Sequence, residues 1–339
     1  MLHPTIIWYF LIPEELEYII STLYKLRKAP EKLGECDCQR IIQVTTKDAP
    51  YELINRIVTE VRKHDKNILI LVVTDNPRPK QVKDPNTIYL IVPPEYSKGK
   101  HKSRALNYAL EWKLQHFQPE KTYTLFLDEE NIPTKELLVY FKQFSGKISV
   151  GPAYYLRGKG LLPWLMDGIR IVGDYNFRMY AIHGLPVWHG ENSIIRLDIE
   201  KEIGWESCLA EDLIFAIKVY EKYGRIYSWH DYPIWTVSPF TLSDLFKQRR
   251  RWVLGVLQAL KKIKSKKYKL FLGYKIVCWA LGLPSVLIIP LPFIFGWHEC
   301  AILAPFGLVW FLHNRLAAQQ RATKIHNFWD IPPAFACSA

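Results

Sequence analysis

Short strand-like runs alternate with longer runs of helical periodicity between residues 40 and 127 of this 339-residue chain. The predicted strands cover residues 40–46, 67–73, 88–92 and 123–127, and the predicted helices among them cover residues 51–63 and 102–115. Such alternation is typical of βαβ units, in which the strands lie parallel and the helices cover the sheet. The sequence therefore predicts an α/β fold with a mostly parallel sheet flanked by helices.

The last of these strands ends on three consecutive acidic residues, Asp128, Glu129 and Glu130. Ligands of open α/β sheets bind at the carboxyl ends of the strands, and the alternation of strand side chains should direct Asp128 and Glu130 to the same side. Two hard oxygen donors placed there suit Mg²⁺ or Mn²⁺ carrying a diphosphate. Taken alone, an Asp-x-Glu sequence favours a solvated acidic turn, and only the motifs farther along the chain favour the metal site.

Two such motifs follow, an acidic pair at Glu211 and Asp212 and a Gln-Arg-Arg-Arg-Trp segment at residues 248–252. The acidic pair opens a stretch of helical periodicity, where helix capping explains one acid but hardly both. On a helix, Gln248, Arg251 and Trp252 share one face. Because a guanidinium group binds phosphate oxygens and an indole stacks on the apolar face of a sugar ring, this face is predicted to bind a sugar diphosphate.

In this order the motifs resemble those of glycosyltransferase family 2, and most of all those of the egghead-type β-1,4-mannosyltransferases. The segments that carry the likeness lie within about residues 40–260 and are Val-Thr-Asp-Asn at 73–76, Lys-Ser-Arg-Ala-Leu-Asn at 102–107, Leu-Asp-Glu-Glu at 127–130, Ala-Glu-Asp at 210–212, Ser-Pro-Phe-Thr at 238–241 and the segment at 248–252. The resemblance implies a GT-A fold, a Rossmann-like domain expected here at residues 38–262, which binds a nucleotide sugar at its strand ends.

The same likeness assigns donor-binding roles to residues near the strand ends. Thr45, Asp48 and Asp75 are assigned to the base and ribose, although a helix cap and a turn explain the two acids equally well from the sequence alone. Lys102 and Arg104 are assigned to the nucleotide-sugar site. The remaining donor-binding residues belong to the motifs described above and are Asp128, Gln248, Arg251 and Trp252.

The reaction that the resemblance implies is one inverting displacement at the anomeric carbon of an α-linked nucleotide sugar. It assigns Asp212 as the base that deprotonates an acceptor hydroxyl, with Glu211 steering the acceptor. Mn²⁺ or Mg²⁺ on Asp128 and Glu130 is expected to stabilise the departing diphosphate, helped by Arg251. The expected donor is GDP-mannose.

The likeness weakens at residues 189–193, where egghead-type sequences have a loop of small residues and this chain has Glu191. His189 is a candidate for binding acceptor hydroxyls, or a structural histidine of the loop. Trp164 and Trp205 are candidate sugar platforms, with core or interface positions as the alternative. His230 is a candidate third metal ligand, although the family pattern does not require a histidine there.

Positive charge and apolar segments indicate membrane association. The chain carries a formal net charge of +12, and six lysines between residues 261 and 269 precede the longest apolar run, residues 270–297. Basic clusters so placed mark the cytoplasmic side, and the run can cross a hydrocarbon core of about 30 Å. A transmembrane helical hairpin is therefore predicted at residues 270–318 and a cytoplasmic segment at residues 319–339, with a re-entrant element or a buried hydrophobic subdomain as alternatives.

The N-terminal segment, residues 1–30, is predicted to be amphipathic and to lie on the membrane or pack on the protein surface. The six cysteines are expected to remain thiols at a reducing cytoplasmic face.

Together these features predict an integral membrane enzyme, with its catalytic domain on the cytoplasmic side, that transfers mannose in β-1,4 linkage to a lipid-linked glycan. The nearest alternative is a processive polysaccharide synthase that uses a UDP- or GDP-sugar. A nonenzymatic, basic membrane or nucleic-acid binding protein would leave the four acids Asp128, Glu130, Glu211 and Asp212 unexplained. The expected partners are therefore the nucleotide sugar, the glycan acceptor and the lipid bilayer, and not nucleic acid.

Overall fold

A computed structural model describes residues 37–156 and 169–287, together with residues 13, 16, 17, 20, 21, 33, 34, 160, 163, 164 and 167. The strands of this part of the chain are β1 (Gln39–Thr46), β2 (Leu69–Thr74), β3 (Thr87–Ile91), β4 (Thr122–Asp128), β5 (Ile132–Pro133), β6 (Ile148–Val150), β7 (Ala153–Leu156), β8 (Ser193–Arg196), β9 (Tyr227–Trp229) and β10 (Ile234–Val237). The α-helices are α1 (Tyr51–His64), α2 (Lys102–His116), α3 (Lys135–Gln143), α4 (Ile169–Ile182), α5 (Leu197–Ile203), α6 (Glu211–Tyr223), α7 (Leu242–Lys262) and α8 (Lys266–Leu287).

Seven strands form the main sheet, in the order β3-β2-β1-β4-β8-β6-β9. The four strands β1 to β4 are mutually parallel, β8 runs antiparallel to both of its neighbours, and β9 pairs in parallel with β6. A smaller sheet has the order β5-β10-β7. The predicted α/β fold with a mostly parallel sheet is confirmed, and the four strands predicted from the sequence agree with β1 to β4 to within two residues at either end.

Burial explains why these segments form strands and helices. In β1 every residue after Gln39 is buried, as expected for a parallel strand covered on both faces. Helix α1 presents a buried stripe with helical spacing, formed by Ile54, Ile57, Val58 and Val61. The helices therefore pack on the sheet through one face, and the carboxyl ends of the parallel strands remain at one edge.

The register of the parallel strands brings the predicted donor residues to that common edge. Thr45 of β1 lies opposite Val73 of β2 on one side and opposite Asp128 of β4 on the other. The Thr74 hydroxyl donates a hydrogen bond to the Lys47 carbonyl at 2.9 Å, which joins the segments that follow β1 and β2. The strand ends therefore form a continuous floor for a ligand.

A buried ion pair fixes helices α2 and α5 against β4. Lys113 Nζ donates to Glu200 Oε2 at 2.6 Å and to Thr124 Oγ1 at 3.2 Å, and neither charged side chain is exposed to solvent. Glu200 Oε1 accepts a hydrogen bond from Trp205 Nε1 at 2.9 Å. Burial lowers the pKa of Lys113, and the carboxylate of Glu200 opposes that effect. Loss of one partner of such a pair typically costs about 3–5 kcal/mol, so this contact holds α2 firmly in place.

Two predicted ligand-binding side chains lie in the core. Trp205 stacks on Phe215 with ring centroids 4.4 Å apart and is 8% exposed, so it is not an accessible sugar platform. His230 is fully buried, with its ring centroid 4.8 Å from that of Tyr140. Burial lowers the pKa of His230 to about 3 and keeps the ring neutral. Aromatic rings surround both residues in the core. The sequence does not reveal these neighbours, because most of them come from other segments of the chain.

The two ends of the chain are described only in part. No helix within the described ranges is long and apolar enough to cross a membrane. Helix α8 covers the start of the predicted hairpin, while residues 288–318 and the predicted segment 319–339 lie outside the described residues. Most of the predicted N-terminal segment, residues 1–30, also lies outside them, although Glu17 accepts a hydrogen bond from Lys275 of α8 at 2.6 Å. Cys38 forms a disulfide bond, contrary to the expectation of free thiols.

Candidate active site

The acidic turn after β4 forms the centre of the candidate site. Asp128 closes the strand, and its backbone N–H donates to Asn131 Oδ1 at 2.6 Å while the Asn131 N–H donates back to the Asp128 carbonyl at 3.0 Å. This tight turn leaves the Asp128 carboxylate at the sheet edge. Lys102, the first residue of α2, donates a hydrogen bond from its ammonium group to that carboxylate.

The two glutamates of the turn have different neighbours. Glu129 accepts a hydrogen bond from the Thr46 hydroxyl on β1. Glu130 is exposed, and the charges of Asp128 and Glu191 act on it. Partial desolvation and these two like charges raise the pKa of Glu130 to about 7. Glu129 therefore points to β1, Asp128 is paired with Lys102, and Glu130 makes no ion pair with the residues that the structure describes.

The donor chemistry of this turn fits a divalent cation. Carboxylate oxygens are the ligands that Mg²⁺ and Mn²⁺ prefer, and a cation would relieve the repulsion that raises the pKa of Glu130. Within the described parts of the chain, no group of three or more His, Cys, Asp or Glu side chains converges on one cation position. A metal at Asp128 and Glu130 would therefore need oxygens of the bound substrate to complete its coordination.

A second acidic pair, Glu211 and Asp212, lies near Lys102. Glu211 and Asp212 form the first turn of α6. Burial alone would lower the pKa of Lys102, but the charges of Asp128, Glu211 and Asp212 raise it well above its usual value. Burial and the charge of Asp212 raise the pKa of Glu211 to about 7, and burial also raises the pKa of Asp212. One ammonium group thus connects the acidic turn of β4 with the acidic pair of α6.

Gly190 lies where the loop before β8 meets these charged groups. A Cβ atom placed on Gly190 would lie 3.4 Å from Asp212 Oδ2 and 3.7 Å from Lys102 Nζ. The absence of a side chain there leaves open the space beside the Asp212 carboxylate, which a reacting hydroxyl group would need.

The predicted nucleoside-binding residues line the neighbouring strand ends. Asp75 after β2 forms an ion pair with Arg104, whose Nε also donates to the Tyr96 carbonyl at 2.8 Å. Asp48 after β1 is exposed, and its backbone carbonyl accepts a hydrogen bond from Asn76 Nδ2 at 2.9 Å.

Thr45, which the family likeness assigns to the base and ribose, is nearly buried. It is 8% exposed, and its hydroxyl accepts a hydrogen bond from Gln43 Nε2 at 3.2 Å. Its hydroxyl accepts one bond within the protein and can still donate one.

The Gln-Arg-Arg-Arg-Trp segment is helical, as predicted, and its tryptophan lies near two arginines. The Arg249 guanidinium lies 4.3 Å from the Trp252 ring centroid, and that of Arg170 lies 5.7 Å from it. Arg251 is exposed and makes no hydrogen bond or ion pair with the described residues. Gln248 is partly buried, and its Oε1 has no hydrogen-bond partner among the residues that the structure describes. The donor-binding role of Gln248, Arg251 and Trp252 stays a prediction.

Sequence reasoning missed the residues that hold Arg249 in place. Arg249 Nη2 and Arg170 Nε donate to the same carboxylate oxygen, Asp167 Oδ1, at 2.7 and 2.8 Å, and the Asp167 side chain is fully buried. The contact of Arg249 with Trp252 follows from their i,i+3 spacing on a helix and was available to sequence reasoning. Asp167 and Arg170 come from another part of the chain, so only the tertiary structure reveals them.

A chain of contacts links these arginines to the acidic turn. The Arg170 guanidinium stacks 3.6 Å from the Tyr155 ring centroid, and the Tyr155 hydroxyl lies 3.5 Å from Glu191 Oε1. Glu191 Oε2 in turn accepts a hydrogen bond from Asn131 Nδ2 at 2.8 Å. Trp164, the other predicted sugar platform, donates from its indole N–H to the Tyr155 carbonyl at 3.0 Å. Glu191 therefore connects the loop before β8 with the turn after β4.

The sheet, with its acidic turn at a central strand end, defines an enzyme of the GT-A type. The chain belongs to glycosyltransferase family 2, because a family model described as "Glycosyl transferase family group 2" matches residues 123–314. It is thus a sugar-transferring enzyme, and metal dependence is consistent with its fold.

Individual relatives support the resemblance to egghead-type enzymes. The chain is 29% identical over 240 residues to the β-1,4-mannosyltransferase bre-3 of Caenorhabditis briggsae, and 27% identical over 236 residues to the β-1,4-mannosyltransferase egh of Drosophila melanogaster. Each match covers 63% of this chain and 50% of the relative, so the chain spans about half the length of these curated relatives.

A solved structure supports the fold. The mannosyltransferase PcManGT of Pyrobaculum calidifontis, solved in complex with GDP-Man and Mn²⁺, has a TM-score of 0.57 to this chain at 15% sequence identity. The similarity covers 97% of this chain and 100% of that one. At this level of identity the similarity establishes the shared fold.

Replacement of Gly190 by alanine should reduce sugar transfer about tenfold or more without unfolding the protein. The new Cβ atom would make ordinary contacts at 3.4 and 3.7 Å, but it would occupy the space beside Asp212, and small displacements at a reacting centre are costly. Steady-state turnover and thermal unfolding would be measured together. The control is Gly173→Ala, since a Cβ atom on Gly173 meets nothing within 4 Å. Full activity in Gly190→Ala would show that the space is not used.

Proposed function

We propose that this enzyme transfers mannose from GDP-mannose, with inversion, in β-1,4 linkage to a lipid-linked glycan at the cytoplasmic face of a membrane. The observation that carries the proposal is the position of Lys102, whose ammonium group bonds Asp128 and lies among the charges of Glu211 and Asp212. The names of bre-3 and egh support the mannosyl donor and the linkage. The GDP-Man and Mn²⁺ bound to PcManGT support the nucleotide and the metal.

The donor would bind along the strand ends. In this proposal Asp75, Arg104, Asp48 and Thr45 bind the nucleoside, and Lys102 neutralises charge on the diphosphate. Asp128 and Glu130 would hold Mn²⁺ or Mg²⁺, which when bound would neutralise the negative charge of the leaving diphosphate. Because Asp128 is hydrogen-bonded to Lys102, the lysine and the carboxylates would act on the same phosphate groups.

The residues of α7 would act at the other side of the diphosphate. Gln248, Arg251 and Trp252 stay assigned to the donor by family likeness. Arg251 is exposed and free to turn toward a ligand. Arg249 is held by Asp167, so it would contribute mainly by fixing the orientation of Trp252.

Asp212 would act as the base. The acceptor oxygen attacks the anomeric carbon on the face opposite the diphosphate, the bond from that carbon to the phosphate oxygen breaks, and the hydroxyl proton passes to Asp212. This step requires an ionised Asp212, which burial opposes and the positive charges of Lys102 and His189 favour. Glu211 would orient the acceptor hydroxyl, since its pKa of about 7 lets it donate or accept a hydrogen bond near neutral pH.

The membrane part of the proposal rests on the sequence. The six lysines between residues 261 and 269 lie at the end of α7 and the start of α8, next to the apolar run. We keep the N-terminal segment 1–30, the catalytic domain 38–262, the transmembrane hairpin 270–318 and the cytoplasmic segment 319–339 as proposals. Thiol labelling from each side of sealed vesicles would test the proposed orientation.

Replacement of Asp212 by asparagine should lower kcat about a thousandfold, because the isosteric amide cannot accept the hydroxyl proton. Affinity for GDP-mannose should stay within about twofold, since the base faces the acceptor. Turnover would be followed with radiolabelled GDP-mannose, and donor binding by calorimetry. Glu221→Gln, an exposed charge change near the other end of α6, is the matched control and should leave both values unchanged. Retained turnover in Asp212→Asn would exclude this base.

Replacement of Glu130 by glutamine should weaken Mn²⁺ binding by about tenfold or more. Changes to residues that only support the ligands of a metal already reduce metal affinity by about this factor, and Glu130 is itself a proposed ligand. Glu129→Gln removes the same charge one residue away, but Glu129 is bonded to Thr46, so its effect should be much smaller. Calorimetric titration of Mn²⁺ in the presence of GDP would compare the two variants. Equal losses of Mn²⁺ affinity in the two variants would indicate that only the total charge of the turn matters. That result would contradict the assignment of Glu130 as a metal ligand.

A further inference from the structure

His189, in the loop before β8, directs both of its ring nitrogens at oxygen acceptors. Nδ1 faces the backbone carbonyl of Glu191, and Nε2 lies 3.4 Å from Asp174 Oδ1. A carbonyl oxygen can only accept, so Nδ1 carries a proton, and a carboxylate opposite Nε2 favours a proton there as well. The surroundings therefore favour the doubly protonated, positively charged ring.

The partner of this ring is itself fixed. Asp174 lies on α4, is 3% exposed, and accepts a hydrogen bond from the Ala153 backbone N–H at 3.0 Å through its second oxygen. Burial would lower the pKa of His189, but the hydrogen bond and charge of Asp174, together with the charge of Glu191, raise it to about 9. The nearby His230 is neutral, because burial lowers its pKa to about 3.

The charged ring lies beside the proposed base. His189, Gly190 and Asp212 line one small cavity. Of the charged groups that face Asp212, Lys102 on α2 and His189 favour its ionised form, while Asp128 on β4 opposes it. The charge of Asp212 in turn helps to raise the pKa of Glu211, its neighbour on α6.

Lys102 alone gives limited stabilisation to the ionised form of Asp212, because other carboxylates share its charge. Its single positive charge is shared by three carboxylates, those of Asp128, Glu211 and Asp212, and its hydrogen bond goes to Asp128. A bound diphosphate would add further negative charge and draw the ammonium group away from Asp212. The ring nitrogens of His189 face Asp174 and the Glu191 carbonyl and not the acidic turn, so its charge would remain with the base when the donor is bound.

We propose that Asp174 and His189 form a buried charge pair that keeps Asp212 ionised and in position for proton transfer. The inference rests on the proposed role of Asp212 as the base. His189 is thus a positioning residue: the proton of the acceptor hydroxyl passes to an Asp212 oxygen, and His189 keeps both of its own protons.

The pH dependence of kcat/KM separates this role from a purely structural one. His189→Asn keeps a donor for the Glu191 carbonyl and loses the charge, whereas His189→Lys keeps a charge. Loss of the positive charge beside Asp212 should raise the pKa of Asp212 and move the acid limb of the profile up by about one pH unit. In His189→Asn, kcat/KM should therefore fall about tenfold at pH values below the limb and change little above it. His189→Lys should restore most of the shift. His64→Asn, at the end of α1, should match the wild type.

An acid limb that stays in place in His189→Asn, with the rate lowered equally at every pH, would show that the histidine is only structural and would overturn the proposal. If the limb does not move but the variant still transfers sugar, the proposed function stands and only the role of His189 fails. The two proposals can therefore be tested separately.

Nuclear magnetic resonance provides a readout that needs no turnover. In the full wild-type chain, the ¹⁵N shifts of His189 should be those of an imidazolium at about pH 7. The ¹³C-carboxyl titration of Asp212 should move up by about one unit in His189→Asn. A neutral His189 at this pH in the wild type would overturn the proposal even if the variant fails to fold. An unchanged Asp212 titration in a folded variant would do the same.

Discussion

One ammonium group surrounded by carboxylates organises this molecule. Lys102 lies at the start of α2, bonds the carboxylate at the end of β4, and shares its charge with the acidic pair at the start of α6. Each of these groups is costly to bury alone, and together they are stable because opposite charges and hydrogen bonds offset the loss of water. The buried pair of Lys113 and Glu200 secures the same helix on its inner face. The rigid fold thus holds the reactive groups at one edge of the sheet.

Much of this arrangement was predictable from local sequence. Continuous apolar runs specify strands that are covered on both faces, and the acids after β4 interrupt such a run where packing gives no reason for charge. The alternation of strands and helices then predicts a parallel sheet, whose register brings Thr45 beside Asp128. The acidic pair at Glu211 and Asp212 was found because two acids exceed what helix capping requires. These signals share one property: each lies within a few residues of the element that it marks.

The features that escaped prediction depend on contacts between distant segments. Asp167 bonds the two arginines that lie near the Trp252 ring, although no local pattern marks Asp167 as their partner. Trp205 and His230 are residue types that often bind ligands, yet neighbouring side chains bury both of them. The charge of His189 depends on Asp174, which lies on another element. Residue types alone do not specify protonation states or occupied ring faces, because both depend on which distant side chains pack nearby.

The most direct test of this account is a structure of the protein with GDP-mannose and Mn²⁺. The account predicts that the diphosphate lies between Lys102 and the carboxylates of Asp128 and Glu130. The Asp212 carboxylate should then face the anomeric carbon from the side opposite the phosphate, across the space beside Gly190. A nucleotide bound away from the ends of β1, β2 and β4, or a sugar whose reacting carbon lies out of reach of Asp212, would contradict it.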